Sequence, residues 1–217
     1  MEHARAASRS AKSVDPWKRR ASYLQDAILV VVSAVFLYVH ARHVFVDGSI
    51  TSVGFALEQA VLVGIFLFRR RSQATSTRPS DWLVAAVGGW LSFAFQPQTG
   101  APLALGATGT AVQFAGLLMA AGGFLYLGRS FGIVAANRGL KVRGPYRLVR
   151  HPIYLAHLVT STGFLIANFH PINLALYTIV LVAQLLRIRA EERVLTETAE
   201  YDAYRATTRW RIIPGLY

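Results

Sequence analysis

The residues best suited to chemistry lie in the last third of the chain. A segment dense in arginine, glycine and aromatic residues runs from Gly128 to His151 (GRSFGIVAANRGLKVRGPYRLVRH). It leads into Arg150-His151-Pro152-Ile153-Tyr154 and then an apolar stretch. Pro152 suits the first position of a helix, where its missing N–H costs nothing. His151 then falls at the N-cap, beside free backbone N–H groups. With Arg147 and Arg150 those groups form an anion-binding corner. Further on come Arg187, Arg189, Glu191, Glu192 and Arg193. Arg187 and Glu191 are four apart and share one helix face with Leu195, whereas Arg189 and Glu192 fall on another. Arg193 and Glu197 have the spacing of an ordinary exposed pair. Arg187 directly follows an uncharged run, and ionisable residues at that depth face a bundle interior or a wet cavity. Its guanidinium can hold a carboxylate bidentately. A basic loop that only obeys membrane topology explains these charges, but not Gly144-Pro145-Tyr146 or His151-Pro152-Ile153-Tyr154.

The elements that must position these groups are membrane helices. Of 217 residues, 53% are hydrophobic and 16% charged, yet the net charge is +12. Soluble domains carry about 25% charged residues, and disorder needs low hydrophobicity, so both classes are excluded. No cysteine is present, which removes disulfides, thiolate metal sites and thiol nucleophiles. Apolar stretches occupy 27–39, 48–68, 82–95, 101–128, 152–169 and 172–186. A crossing helix needs about 20 residues, so the third and sixth are short, and five crossings is the lower bound. Lys and Arg alternate between the connections. They are dense before the first stretch, in Arg69–Arg78 and in Arg129–Arg150, and absent from 96–100 and from the His170-Pro171 turn. The expectation is an all-α integral membrane protein of about six helices with both termini cytoplasmic. In a bacterium that is the inner membrane. Topology and anionic lipid headgroups account for the basic charge, leaving no reason to invoke nucleic acid.

Other features read as packing. The fourth stretch is rich in small residues (Gly106, Gly109, Gly116, Gly122, Gly123 among them) that let helices approach closely. Trp17, Tyr23, Trp82 and Tyr126 suit the headgroup level. Glu58 in the second stretch is a functional candidate by position; the simpler reading is an interfacial or neutral, hydrogen-bonded acid. His157 reads as a packed helix residue, and no second ligand at metal spacing accompanies it.

The ordered set Gly144-Pro145-Tyr146-Arg147-Leu148-Val149-Arg150-His151-Pro152-Ile153-Tyr154, Arg187-x-Arg189-x-Glu191-Glu192, Tyr201-x-x-Tyr204 and Ile213-Pro214 resembles the isoprenylcysteine carboxyl methyltransferase family. More broadly it is similar to the membrane methyltransferases that include phospholipid N-methyltransferases. The likeness covers roughly 116–217; the first three helices match only in being hydrophobic. It implies S-adenosylmethionine as methyl donor, bound on the cytoplasmic side. In such proteins the positions of Tyr146, His151, Tyr154 and Glu191 touch the donor, with further contacts from the loop Arg138, Gly139, Leu140 and Lys141. Arg150, Pro152 and Ile153 complete that set, and the position of Arg187 is associated with the substrate carboxylate. Arg187 and Glu191 are thus the implied catalytic pair, with no metal. Two departures are Ala156, where the family commonly has Gly, and Thr198-Ala199-Glu200, where Phe-Gly is usual.

The implied organisation is a mobile basic segment (1–21), helices one to four (22–127) and a catalytic region (128–217). That region holds the cofactor loop, a helix hairpin (152–186) and a cytoplasmic amphipathic helix. The acceptor would be lipophilic, a prenylated substrate or other lipid-like molecule among membrane lipids. An isoprenylcysteine carboxylate fits best. A carboxylate with pKa near 3.5 is ionised at neutral pH and needs no general base; a thiol or ammonium acceptor would require one, from His151 or Glu191. Two other readings are a sterol-type membrane reductase using NADPH and a non-catalytic membrane scaffold.

Overall fold

A helix occupies each of the six apolar stretches, because backbone polar groups in lipid must be satisfied within the segment itself. The computed structural model describes residues 16–47, 50–68, 74–98, 102–132, 134–137 and 139–217. The order is α1 (Pro16–Asp47), α2 (Ile50–Phe68), β1 (Ala74–Thr75), α3 (Pro79–Trp90), α4 (Leu103–Leu127), β2 (Ala136–Asn137), α5 (Pro152–Ala167), α6 (Pro171–Leu195) and α7 (Ala199–Thr207). Three of them, with windows Asp26–Val46, Leu103–Leu127 and Pro171–Leu195, are long and apolar enough to cross a membrane. Val31, Val35, Tyr38 and Phe45 on α1, Leu118 and Leu125 on α4, and Ile179 and Val182 on α6 are exposed. Such apolar surface belongs against lipid.

Several expectations are corrected. The basic segment expected to be mobile through residue 21 is helical from Pro16, and its first 15 residues lie outside the described ones. The third stretch is not one α-helix: α3 ends at Trp90 and a 3-10 turn continues from Leu91 to Ala94. The final helix does not run through Glu197. It stops at Leu195, where Thr198 Oγ1 donates to the Leu195 carbonyl at 2.9 Å, and α7 begins after Thr198.

The tightest helix contact joins α4 to α5. A Cβ on Gly109 would stand 2.5 Å from the Ala167 nitrogen, and one on Gly116 would stand 2.4 Å from the Thr160 nitrogen. Gly163 on α5 answers with a 2.2 Å approach to the Gln113 nitrogen. Gly106 and Gly122 face open space, so the glycines serve the interface at seven-residue steps (109, 116, 123) and not along the whole helix.

Each end of the bundle is tied by polar contacts. At one end Asn173, fully buried, donates to the carbonyls of Gln96 (2.7 Å) and Asn168 (2.8 Å) and accepts from the Gln96 N–H (2.9 Å). The two connections that lack Lys and Arg are thereby joined. At the other end β1 pairs antiparallel with β2, Ala74 opposite Asn137 and Thr75 opposite Ala136. Ala74–Ser76, within the polar segment 71–80, therefore dock on the loop that follows α4; residues 71–73 lie outside the described ones.

Candidate active site

Four pieces of chain enclose one cleft. Phe131, Gly132, Val134–Ala136 and Gly139–Lys141 form one side. Tyr146 and the start of α5 (His151, Ile153, Tyr154) form the second, α6 the third through Arg187, Glu191 and Leu195, and α7 covers it with Tyr201 and Tyr204. The local sequence explains each placement. His151 is the N-cap of α5 with Pro152 in the first turn, so the ring sits where the chain enters the helix. Gly144 has φ +60°, and a Cβ there would meet the Tyr126 ring at 2.6 Å; glycine alone lets Tyr126 and Tyr146 stack at 6.1 Å. On α7, Tyr201 and Tyr204 are three apart and turn the same buried face to Tyr146. Tyr204 donates its hydroxyl to the Tyr146 carbonyl at 2.6 Å.

The Arg187–Glu191 spacing works as expected: both line the cleft. Tyr154 donates to Glu191 Oε2 at 3.0 Å, and the Arg187 guanidinium lies 5.2 Å from the centre of the Tyr154 ring. Arg187 Nη1 also donates to Gln184 Oε1 at 2.8 Å, and Gln184 Nε2 to the Gly88 carbonyl at 2.9 Å. His151 stands between two carboxylates, its Nδ1 3.9 Å from Glu191 Oε2 and its Nε2 3.3 Å from Glu192 Oε1. Gly139, Leu140, Lys141, Tyr146, Arg150, His151, Ile153 and Tyr154 all line the cleft as well. Pro152 is buried in the first turn of α5 outside its wall, and Arg138 lies outside the described residues. Arg147 is exposed and does not reach the cleft, so the expected anion corner lacks it.

Glu192 is the residue that sequence reasoning passed over. It is buried and accepts from Arg150 Nε at 2.9 Å and Arg211 Nε at 2.8 Å. Arg150 Nη1 donates further to the carbonyls of Thr208 (3.0 Å) and Arg209 (2.8 Å). Its side chain thus straps the C-terminal tail beneath the cleft. The tandem Glu191-Glu192 held the signal: adjacent residues on a helix point about 100° apart, one into the cleft and one into the tail. Arg193 does not form the simple pair expected with Glu197. Its Nη1 lies 3.0 Å from Asp81 Oδ2 on α3, and Asp81 also accepts from Ser76 Oγ beside β1.

Burial raises the pKa of Tyr146, Tyr201 and Tyr204 above the ordinary phenol value, that of Tyr204 to about 12. At neutral pH these three phenols are uncharged.

A second cavity of about 820 Å³ lies among the membrane helices. It runs from Phe131, His157 and Arg187 to His40, Pro97, Gln98 and Asn168, and so from the cleft towards the end that lacks Lys and Arg. Phe131, His157 and Arg187 line both spaces. His157 packs edge-on to Phe124 at 6.0 Å as a packed residue should, but it also stands on this shared wall. Glu58 lines the second cavity, and the hydrogen bond expected of a neutral acid is not found among the described residues.

Residues 98–200 match the family model described as phospholipid methyltransferase. The segment from the turn before α4 to the first turn of α7 is therefore a domain of the phospholipid methyltransferase family, to which isoprenylcysteine carboxyl methyltransferases are related. The chain is an integral membrane protein of the methyltransferase class. No curated protein matches it.

Proposed function

We propose that this protein moves a methyl group from S-adenosylmethionine to a lipophilic acceptor, and that Arg187 holds an acceptor carboxylate of the isoprenylcysteine type. The observation that carries the proposal is the position of Arg187 on the wall shared by the polar cleft and the intramembrane cavity. A water-soluble donor and a greasy acceptor meet only where two such spaces touch.

The groups in the cleft suit the donor. Glu191 complements a sulfonium or accepts from ribose hydroxyls, Tyr146 and Tyr154 offer aromatic faces to a cation, and Lys141 and His151 suit the donor's own carboxylate. The sulfonium supplies an activated methyl with a neutral leaving group. The protein then has to orient the acceptor and keep water out, and orientation alone contributes about 7–11 kcal/mol. An ionised carboxylate on Arg187 requires no base.

The cleft is about 90 Å³, below the roughly 300–1,000 Å³ of ordinary ligand sites. To admit a nucleoside the cleft must widen, and the strip formed by Phe131, Gly132, Val134–Ala136 and Gly139–Lys141 is the wall that would have to withdraw. Among the described residues, the backbone ties of that strip to the segment before α3 are the two-residue β1–β2 ladder and the bond from Ser76 N to the Ala135 carbonyl at 3.0 Å.

The chain crosses the membrane about six times with both termini cytoplasmic. Supporting this, the connections that lack Lys and Arg meet at Asn173, while the cleft lies at the end bearing the basic loops. The α3 segment with its 3-10 turn and α5 each reach only about 24–26 Å and cross a locally thinned bilayer.

Calorimetric titration of the detergent-purified protein tests the donor. S-adenosylhomocysteine is expected to bind and NADPH is not; the reverse result refutes the methyltransferase reading for this chain. Labelled donor with prenylcysteine, fatty-acid, phospholipid and small-thiol acceptors then identifies the class that takes the methyl group, with a carboxylic acid expected.

A further inference from the structure

We infer that the intramembrane cavity binds an amphiphile carrying a hydrogen-bond-donating group, a hydroxyl or an amine, part-way along its apolar body, and that Glu58 recognises that group. The inference rests on the reading of Arg187 as the acceptor's anchor and specifies the acceptor beyond its reacting end.

Glu58 lies in the middle of α2, is 6% exposed, and lines the cavity. Among the described residues nothing forms a hydrogen bond or an ion pair with its carboxyl. A buried carboxyl without a partner is costly, so native proteins satisfy such groups. Gln59 (4% exposed) and Gln113 (2%) line the same space, making a polar band within walls of Phe36, Phe93, Phe124 and Phe164. Phe36 and Phe93 stack at 3.9 Å, which gives those walls a fixed shape. A plain hydrocarbon chain reaching from Arg187 past this band would leave its polar groups without partners. A chain with a donor at that depth satisfies Glu58 and places its acidic end at Arg187. Sites built to hydrogen-bond a ligand group discriminate strongly against analogues that lack it.

Trp90 lines the cavity and reports on it. A brominated fatty acid, added to the detergent-purified protein without methyl donor, is expected to quench Trp90 fluorescence, and Trp90→Phe assigns the signal. Displacement is then compared for a long-chain carboxylic acid, its mid-chain hydroxy derivative and its mid-chain amino derivative. In the wild type both substituted acids are expected to displace the quencher at concentrations at least about tenfold lower than the plain acid. Glu58→Leu abolishes that preference. Glu58→Gln keeps the preference for the hydroxyl and loses that for the amine, which separates the two donors and guards against misfolding of the leucine variant. Equal displacement by all three acids in the wild type overturns the inference, as does a preference unchanged in Glu58→Leu. Absence of quenching also overturns it, by showing that no such ligand enters. Loss of methyl transfer to every acceptor, with the displacement preference intact, instead overturns the proposed reaction and leaves this site standing.

Discussion

Arg150 and Glu192, 42 positions apart in sequence, meet at 2.9 Å beneath the cleft with both side chains buried. The same carboxylate holds Arg211, and the same guanidinium holds two tail carbonyls, so this one pair joins the start of α5, the end of α6 and the C-terminal tail. Removing one partner leaves a buried charge unsatisfied. Glu192→Gln is expected to lower stability by about 3–5 kcal/mol, read as thermal unfolding in detergent. In a double-mutant cycle with Arg150→Met the second substitution costs less than it does alone, because the charge it removes is already unpaired. Strict additivity would show that the two do not interact.

Arg187 is held from behind. A Cβ on Gly88 would meet Arg187 Cδ at 2.8 Å and Gln184 Oε1 at 3.3 Å, so Gly88→Ala shifts the guanidinium without entering the donor cleft. Its transfer rate is expected to fall by up to about 100-fold, the cost of roughly an ångström of misplacement. Arg187→Lys keeps the charge and loses the bidentate fork, with a similar fall in kcat. Both variants retain S-adenosylhomocysteine affinity. If calorimetry shows affinity falling together with rate, Arg187 serves the donor and not the acceptor.

The parts of this site that were legible in the sequence are local ones. Pro152 after His151 defines a helix start, and the four-residue step from Arg187 to Glu191 defines a face; both hold whatever surrounds them. The six apolar runs marked the helical stretches because each is apolar along its own length, whatever packs against it. What escaped depends on distant partners. Glu192 and Arg193 have ordinary surface spacings, and only the fold turns them to Arg150, Arg211 and Asp81. The β1–β2 pairing joins two residues on each side across 61 and 63 positions, too few for any periodicity to reveal it. Glu58 looked like an acid that a neighbouring helix would satisfy, since a cavity formed by six helices leaves no trace in any one of them.

The α4–α5 contact gives a test with its own control. At Gly116 an added methyl would press on backbone of Thr160, which cannot move aside, whereas Gly122 faces open space. Gly116→Ala is expected to destabilise the protein by about 1–3 kcal/mol, as overpacking does. Gly122→Ala is expected to be neutral or slightly stabilising, since alanine is the better helix former. Unfolding midpoints in detergent that move equally for both would place the close contact elsewhere.

The tyrosine cluster sets an alkaline limit on the site. Burial raises the Tyr204 pKa from 10.0 to about 12, and those of Tyr146 and Tyr201 are raised by the same cause. A folded-state pKa above the unfolded value means that the native state keeps its proton longer. The contribution is therefore present in full below about pH 10 and is lost as the pH rises through 12. Melting temperature is expected to be insensitive to these groups near neutrality and to fall steeply above pH 10, with tyrosinate absorbance rising late and together with unfolding. Tyr204→Phe separates the two contributions. It loses the 2.6 Å bond to the Tyr146 carbonyl, about 1 kcal/mol at neutral pH, and in exchange shows a shallower alkaline slope. An unchanged slope in that variant would mean that Tyr204 ionises freely in the native protein and that α7 does not seal the cleft.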